Sequence, residues 1–266
     1  MIQFFQRLFK NLVGFSNQNR SINIYKTLLF NFRAFGIKGV LKLPVFVYSN
    51  TNIYRVGKIL IDCPWEKGLV KIGFIDFKSQ GVTKFCNQGC IRISGNLEIG
   101  GCTILENCGQ IIFKGSCLVA DGCLVNIKSK LEIGENSAIG FHSMIMDSDD
   151  HFSFDVENRQ VHRFAKPIII GKNNWFGCHT FIKKGTVTPD YLIVASANAL
   201  LCKDYSSLPP YSVLGGSPAK LIKSGIRCIF NYKNEAMIID FFRKNLQENV
   251  YNIDKNVNLD EFCALN

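Results

Sequence analysis

The sequence predicts an all-β chain, a triangular parallel β-helix with a helical extension at each end. Two observations carry this reading. Over residues 170–200 the chain falls into groups of six whose first letters are Ile170, Phe176, Ile182, Thr188, Val194 and Leu200. The second letter is often small, as at Gly171, Gly177 and Ala195. An α-helix repeats its face every 3.6 residues and a strand every 2, so a period of six belongs to short flat strands joined by corners. The same step recurs upstream at Ile133, Ile139 and Ile145, at Phe113, Val119 and Val125, and at Ile93, Ile99 and Leu105. Upstream coils should run to about 20 residues with one longer corner, and downstream coils to about 18. Each coil buries its interior only by stacking on its neighbours, which gives one layer of Ile, Val, Leu and Phe per coil.

At 266 residues the chain suits one elongated domain with appendages. The pattern divides it into an amphipathic, helical segment 1–44, a β-helix 45–222 and a helical extension 223–266. Hydrophobic residues make up 47% and include 22 Phe, enough for a sizeable core. The balance of 31 basic against 21 acidic residues implies a polyanionic partner: a phosphorylated cofactor, an anionic membrane or nucleic acid. No recognisable nucleic-acid module accompanies the charge, which argues against the last. No apolar run is long enough for a transmembrane helix. The start, MIQFFQRLFKNLVGF, carries Arg7 and Lys10 within its apolar stretch and no small-residue cleavage site, so no secretory signal is expected. Eleven cysteines without such a signal point to a reducing, cytoplasmic setting. Cys117 and Cys123 share one hexad place and Cys102 and Cys108 another, as small buried fillers would. No C-x-x-C pair suggests a metal, and none is expected.

Taken in order, Phe4, Phe5, Leu8, Phe9, Leu12 and Val13 recur at helical spacing, and residues 26–44 are again both apolar and basic. This segment either caps the open end of the prism or touches an anionic membrane surface, which would make the protein peripheral at the inner face of the cytoplasmic membrane. Residues 45–85 read as longer, less regular strands. The hexads then break once, over residues 146–169, with a polar stretch that holds two of the four histidines. Long loops on rigid scaffolds are where binding and catalytic groups gather. After Leu200 the Pro-Pro, Gly-Gly and Ser-Pro steps end the prism, and residues 228–246 form an amphipathic helix.

Histidine is the side chain best suited to proton transfer near neutral pH. His142 and His179 hold middle places of hexads, pointing outward or to corners. His162 lies among Arg159, Arg163 and Lys166, whose charge disfavours its protonation. His151 follows Asp147, Asp149 and Asp150, and a carboxylate neighbour fixes a tautomer and steadies an imidazolium. His151 is therefore the candidate base, with Asp149 and Asp150 in support; its bland alternative is a surface histidine in an acidic loop.

The hexads, the DDH loop, the segment KPIIIGKNNWFG and the closing LGGSPAKLI together resemble the left-handed β-helix (hexapeptide-repeat) acyltransferases, above all the O-acetyltransferases of surface sugars. The resemblance covers about residues 90–223, and the left hand of the coil comes from it alone. It implies a homotrimer with acetyl-CoA in the cleft between neighbouring prisms, a glycan acceptor from a capsule or lipopolysaccharide, and His151 as general base. It also implies Trp175 at the same site, the pantetheine arm along Gly177, Cys178, Ala195, Ser196 and Ala197, and the CoA phosphates near Lys203, Lys220 and Lys223. Against these stand a corner aromatic filling space at Trp175 and simple solvated lysines at the chain exit. The chain departs from the pattern at His151-Phe152, where His-Pro is usual, at Thr188-Pro189, where Ile-Gly is usual, and by an extra residue near Cys202.

The chemistry is coherent. A sugar hydroxyl is too weak an acid to attack a thioester unaided, so a base takes its proton as the bond forms. The oxyanion then needs a fixed donor, such as the backbone N–H of Gly177 or Cys178. With no G-x-S-x-G elbow and no Cys–His pair in the sequence pattern, direct transfer is expected rather than an acyl-enzyme. An amino acid, a nucleotide-linked amino sugar or an antibiotic remain alternative acceptors. A zinc carbonic anhydrase would require an H-x4-H pair that these four histidines do not form, and a non-enzymatic β-helix scaffold would leave the DDH loop unexplained.

Overall fold

A computed structural model describes residues 21–74, 81–195 and 198–265. Within them, three sheets of parallel strands stack as the sides of a β-helix. The first sheet has nine strands, from Val45–Val47 through Leu97–Gly100 and Trp175–Phe176 to Val213–Gly215 and Lys220–Lys223. The second has seven, from Thr51–Arg55 through Met144–Met146 to Leu200–Leu201. The third has five, from Lys58–Ile61 to Ile168–Ile170, and is prolonged by bridges from Ile169 to Val187 and on to Asp204. The chain visits the sheets in rotation, so each strand pairs with its counterpart one coil away.

The six-residue step places its side chains as expected. Ile93, Ile99, Leu105, Phe113, Val119, Val125, Ile133, Ile139, Ile145, Ile170, Phe176, Ile182 and Val194 are all buried in one continuous core. Each such burial is worth about 1.5–3 kcal/mol. Leu97, Cys117 and Ser137 share a register column at the 20-residue spacing the sequence implies. Thr188 takes its inward turn with its hydroxyl satisfied, since Oγ1 accepts from Gly171 N at 3.0 Å. One hexad letter is corrected: Leu201, not Leu200, faces the core, because Ile182 pairs with Leu201. The extra residue expected near Cys202 therefore falls just before it, between Val194 and Leu201.

The strands between residues 45 and 87 do include the longest and least regular, since Thr51–Arg55, Val70–Phe74 and Thr83–Asn87 have five residues each and the register shifts at Ile53/Arg55 and Ile72/Phe74, whereas two boundaries differ from the expected ones. The prism continues past Leu200, since Val213–Gly215 pairs in parallel with Ile193–Val194 before an antiparallel turn to Lys220–Lys223. The C-terminal helix spans Tyr232–Lys244, shorter at both ends than its pattern suggested.

Corners explain two of the histidines. Cys102, His142, His179 and Asn198 follow strands of the first sheet, each with φ between 56° and 63°, in the left-handed region, and Gly122 shares the place at 71°. Histidine and asparagine tolerate that region better than most residues. A Cβ on Gly122 would meet His142 Nδ1 at 2.4 Å, so glycine there makes room for the ring. His142 and His179 then stack one coil apart, ring centroids 5.3 Å apart.

The helix Ile24–Lys42 closes one end of the prism. Phe30 packs edge-on against Phe85, and Asn31 Nδ2 donates to Val45 O at 2.7 Å while Val45 N donates back to Asn31 Oδ1. The helical run 4–13 lies outside the described residues. No described helix is long and apolar enough to cross a membrane. All eleven cysteines are free thiols, and burial pushes those of Cys117 and Cys123 up to about 12, which keeps them protonated fillers.

Candidate active site

The interruption of the hexads is rooted by Asp147. This buried carboxylate accepts from the backbone N–H of Lys128 at 2.8 Å, Ser129 at 2.6 Å and Lys130 at 2.8 Å, the corner of the coil beneath. Asn87 and Asn107 pair in the same column three and two coils earlier, where Asn107 Nδ2 donates to Asn87 Oδ1, but the buried Ile127 separates them from Asp147. Asp147 thus spends its carboxylate on the corner beneath it and does not serve His151.

Above that root the two arms of the loop are stitched together. Lys166 N donates to Asp147 O at 2.9 Å, Asp149 N to Phe164 O at 3.2 Å, and Ser148 bridges to Ala165. Asp149 accepts from Lys183 at 3.0 Å and, more closely, from Lys184. The Lys184 contact, helped by Lys183, holds the Asp149 carboxyl below its usual range. Asp150 lies 3.7 Å from Lys128 and accepts from Ser148 Oγ. Both carboxylates expected to support His151 are therefore turned to lysines and serine, and their effect on the imidazole is positional. His151 itself is exposed, with no hydrogen bond among the described residues. Beyond it the loop closes as a small hairpin, Phe154–Asp155 against Gln160–Val161.

Trp175 sits elsewhere on the prism. Its neighbour Phe176 points inward, so the indole stands on the outer face of the first sheet, between Ala138 and Ile193 and 39% exposed. The loop leaves the corner between the second and third sheets, the edge that lies opposite the first sheet in a three-sided prism. A single chain thus carries His151 and Trp175 on opposed parts of its cross-section.

The remaining sequence-selected residues divide similarly. Gly177 and Ala195 follow strands of the first sheet, and their N–H groups are committed to Val194 O and Leu214 O, both at 2.8 Å. Gly177 is thereby corrected as an oxyanion donor, whereas the adjacent Cys178 N–H has no acceptor among the described residues. Ser196 and Ala197 lie outside the described residues. Lys203 sits at the corner after the second sheet, 5.3 Å from the Tyr205 ring, near the loop's root. Lys220 and Lys223 are exposed on the last strand of the first sheet. The three lysines do not form one cluster within the chain. Sequence reasoning missed Lys183 and Lys184, since nothing in the hexad pattern relates them to the loop that they restrain. Among the described residues, no three His, Cys, Asp or Glu side chains converge as a metal site.

No protein-family profile matches the chain. Over 137 residues it is 27% identical to a polysialic acid O-acetyltransferase of Escherichia coli O1:K1 / APEC, covering 51% of this chain and 43% of that protein. The chain resembles the hexapeptide-repeat acyltransferases. It spans less than half the length of that curated relative. Among solved structures, the polysialic-acid-specific acetyltransferase NeuO aligns at 19% identity over 79% of this chain and 91% of its own, with a TM-score of 0.48. The polysialic acid O-acetyltransferase OatWY aligns at 19% identity over 82% and 94%, with a TM-score of 0.42. The site offers an exposed imidazole on a clamped loop, an exposed indole on a flat sheet and, at Cys178, a backbone N–H without an acceptor among the described residues.

Proposed function

We propose that the protein is an acetyl-CoA-dependent O-acetyltransferase that acts on a hydroxyl of a surface glycan or its precursor, with His151 as general base. The observation that carries the reading is the rooted loop: Asp147 and the Asp149–Lys184 pair spend buried and paired charge on holding one exposed histidine at a prism edge. A solvated loop without a task has no need of such an anchor. The likeness to a polysialic acid O-acetyltransferase supports the acceptor class.

In this reading His151 takes the acceptor hydroxyl proton while the oxygen bonds to the thioester carbon. The carbon–sulfur bond breaks in the same exchange, and the proton passes on to the departing thiolate, so no acyl-enzyme forms. The Cys178 N–H, which has no acceptor among the described residues, would stabilise developing negative charge, with Trp175 as an apolar wall beside it. Free cationic groups along the edges, Lys203 among them, fit the phosphates of CoA.

The opposition of His151 and Trp175 supports a site completed by a second copy. The loop presents exposed apolar side chains, Phe152 at 66% and Val156 at 78%, of the kind a neighbouring chain covers. A cyclic trimer puts the loop edge of each prism against the first sheet of the next.

The experiment mixes two inactive full-length variants, His151→Ala and Trp175→Ala, through unfolding and joint refolding. If the site is shared, randomly assembled trimers regain about a quarter of wild-type thiol release from acetyl-CoA with polysialic acid or a panel of capsular glycans. A site within one chain regains none. Absence of turnover by the wild-type protein with every hydroxylated acceptor defeats the enzymatic reading.

A further inference from the structure

The closed end of the prism carries a surface that the proposed chemistry does not use. The helix Ile24–Lys42 packs Thr27, Phe30, Asn31 and Gly39 inward. Its other face leaves Tyr25 74%, Phe32 55%, Ile37 72% and Leu41 58% exposed. Arg33, Lys38 and Lys42 are exposed beside them, and the helix contains no acidic residue. Gly36, at φ 65° and ψ −150°, breaks the helix, so Ile37 and Leu41 follow a kink rather than continuing one straight face.

A cavity of about 320 Å³ opens beside the first half of the helix. Phe30 and Val56 are buried in its wall with half-buried Leu29 and Ile53, while Arg33 and Tyr54 reach its exposed side. Lys26 also lines it but is committed to Ser49 O and Thr51 O. Beyond the kink, Trp65 packs on Phe35 and lies 4.5 Å beneath Lys38. Nearby carboxylates are few: Asp62 pairs with Arg92, and Glu66 is exposed next to Trp65.

We propose that this end of the prism docks on an anionic lipid bilayer, the helix Ile24–Lys42 lying in the interface with its aromatic and aliphatic side chains among the acyl chains. The pattern joins large exposed apolar residues with cations and excludes acids, which is the composition of an interfacial element. The cations face anionic headgroups, each worth about a five-fold gain in partitioning. The cavity suits the upper part of an acyl chain below a headgroup met by Arg33. A water-soluble polyanion would use the cations and leave Phe32, Ile37 and Leu41 in water. In the cyclic trimer of parallel prisms proposed above, the three helices face the same plane and multiply a weak single attachment.

The test is flotation of the full-length protein with phosphatidylcholine vesicles containing about 30 mol % phosphatidylglycerol, against pure phosphatidylcholine vesicles. The wild type should float with the anionic vesicles and not with the neutral ones. Replacing Arg33, Lys38 and Lys42 together by Gln should weaken this about 100-fold. A second variant, Ile37→Ser with Leu41→Ser, should lose binding at unchanged charge. All five positions are exposed, and unchanged melting curves confirm that each variant folds. No flotation of the wild type overturns the proposal, as does binding that both variants retain. Concentration-dependent self-association abolished by Ile37→Ser and Leu41→Ser, without flotation, assigns the face to a second copy instead and also overturns it.

Discussion

The ammonium of Lys184 is clamped to the carboxylate of Asp149, two residues before His151. Lys184 belongs to the rigid coil, and its Nζ also donates to Phe164 O across the base of the loop. One lysine therefore ties both arms of the loop to the prism. With His151 as the proposed base, Lys184→Ala should lower kcat about ten-fold while KM for acetyl-CoA changes little, since it loosens that side chain rather than removing it. Faster amide exchange across residues 148–166 should accompany the loss, and an unchanged exchange pattern would break the link between anchor and base.

Removing the proposed base itself should cost more. His151→Ala is expected to lower kcat by about 10²–10⁴, with acetyl-CoA binding by calorimetry preserved. His179→Ala should keep most activity, because His179 is a corner residue stacked on His142. The reverse ranking would move the base from the loop to the corner.

Asp147 governs stability rather than chemistry. Asp147→Ala strands three backbone N–H groups at a buried corner, a cost of about 3 kcal/mol or more, read as a fall in Tm. Asp147→Asn should cost less, since Asn fills the same column at Asn87 and Asn107.

Gly122→Ala introduces a Cβ at φ 71° that would lie 2.4 Å from His142 Nδ1. It should destabilise the fold by about 1–3 kcal/mol and displace the His142 ring, visible as a shifted imidazole resonance.

The Asp149 pair has a pH dependence of known sign. Its carboxyl is held below the ordinary value by Lys184 and Lys183. Between the two values the unfolded chain binds more protons, so the contribution is whole above about pH 4 and is lost as pH falls further. Melting temperatures of wild type and Asp149→Asn should differ near neutrality and converge in acid. A gap that persists in acid would show that the pair is not its source.

The period of six was legible because every inward place must be filled by a bulky side chain while corners tolerate polar ones. That single constraint located the core from Ile93 to Val194 and exposed the loop by its interruption. It failed at Leu200, where one added residue before Leu201 changes which side chain meets the core without altering the composition. It also misread Asp149 and Asp150, since adjacency to His151 in the chain says nothing about which cations approach from the coils.

By itself, then, the sequence determined the repeat, the inward residues, the site of interruption and the two side chains worth suspecting, His151 and Trp175. The first three follow from local periodicity, His151 from residue chemistry and Trp175 from the resemblance to the hexapeptide-repeat acyltransferases. Tertiary structure alone decided that Asp147 caps a neighbouring corner, that Lys184 restrains the loop and that the Gly177 N–H is already spent. It also decided that His151 and Trp175 stand on opposed parts of one prism. Those facts depend on which coil lies beneath which and which sheet faces which, and stacking register becomes definite only when the whole chain is wound.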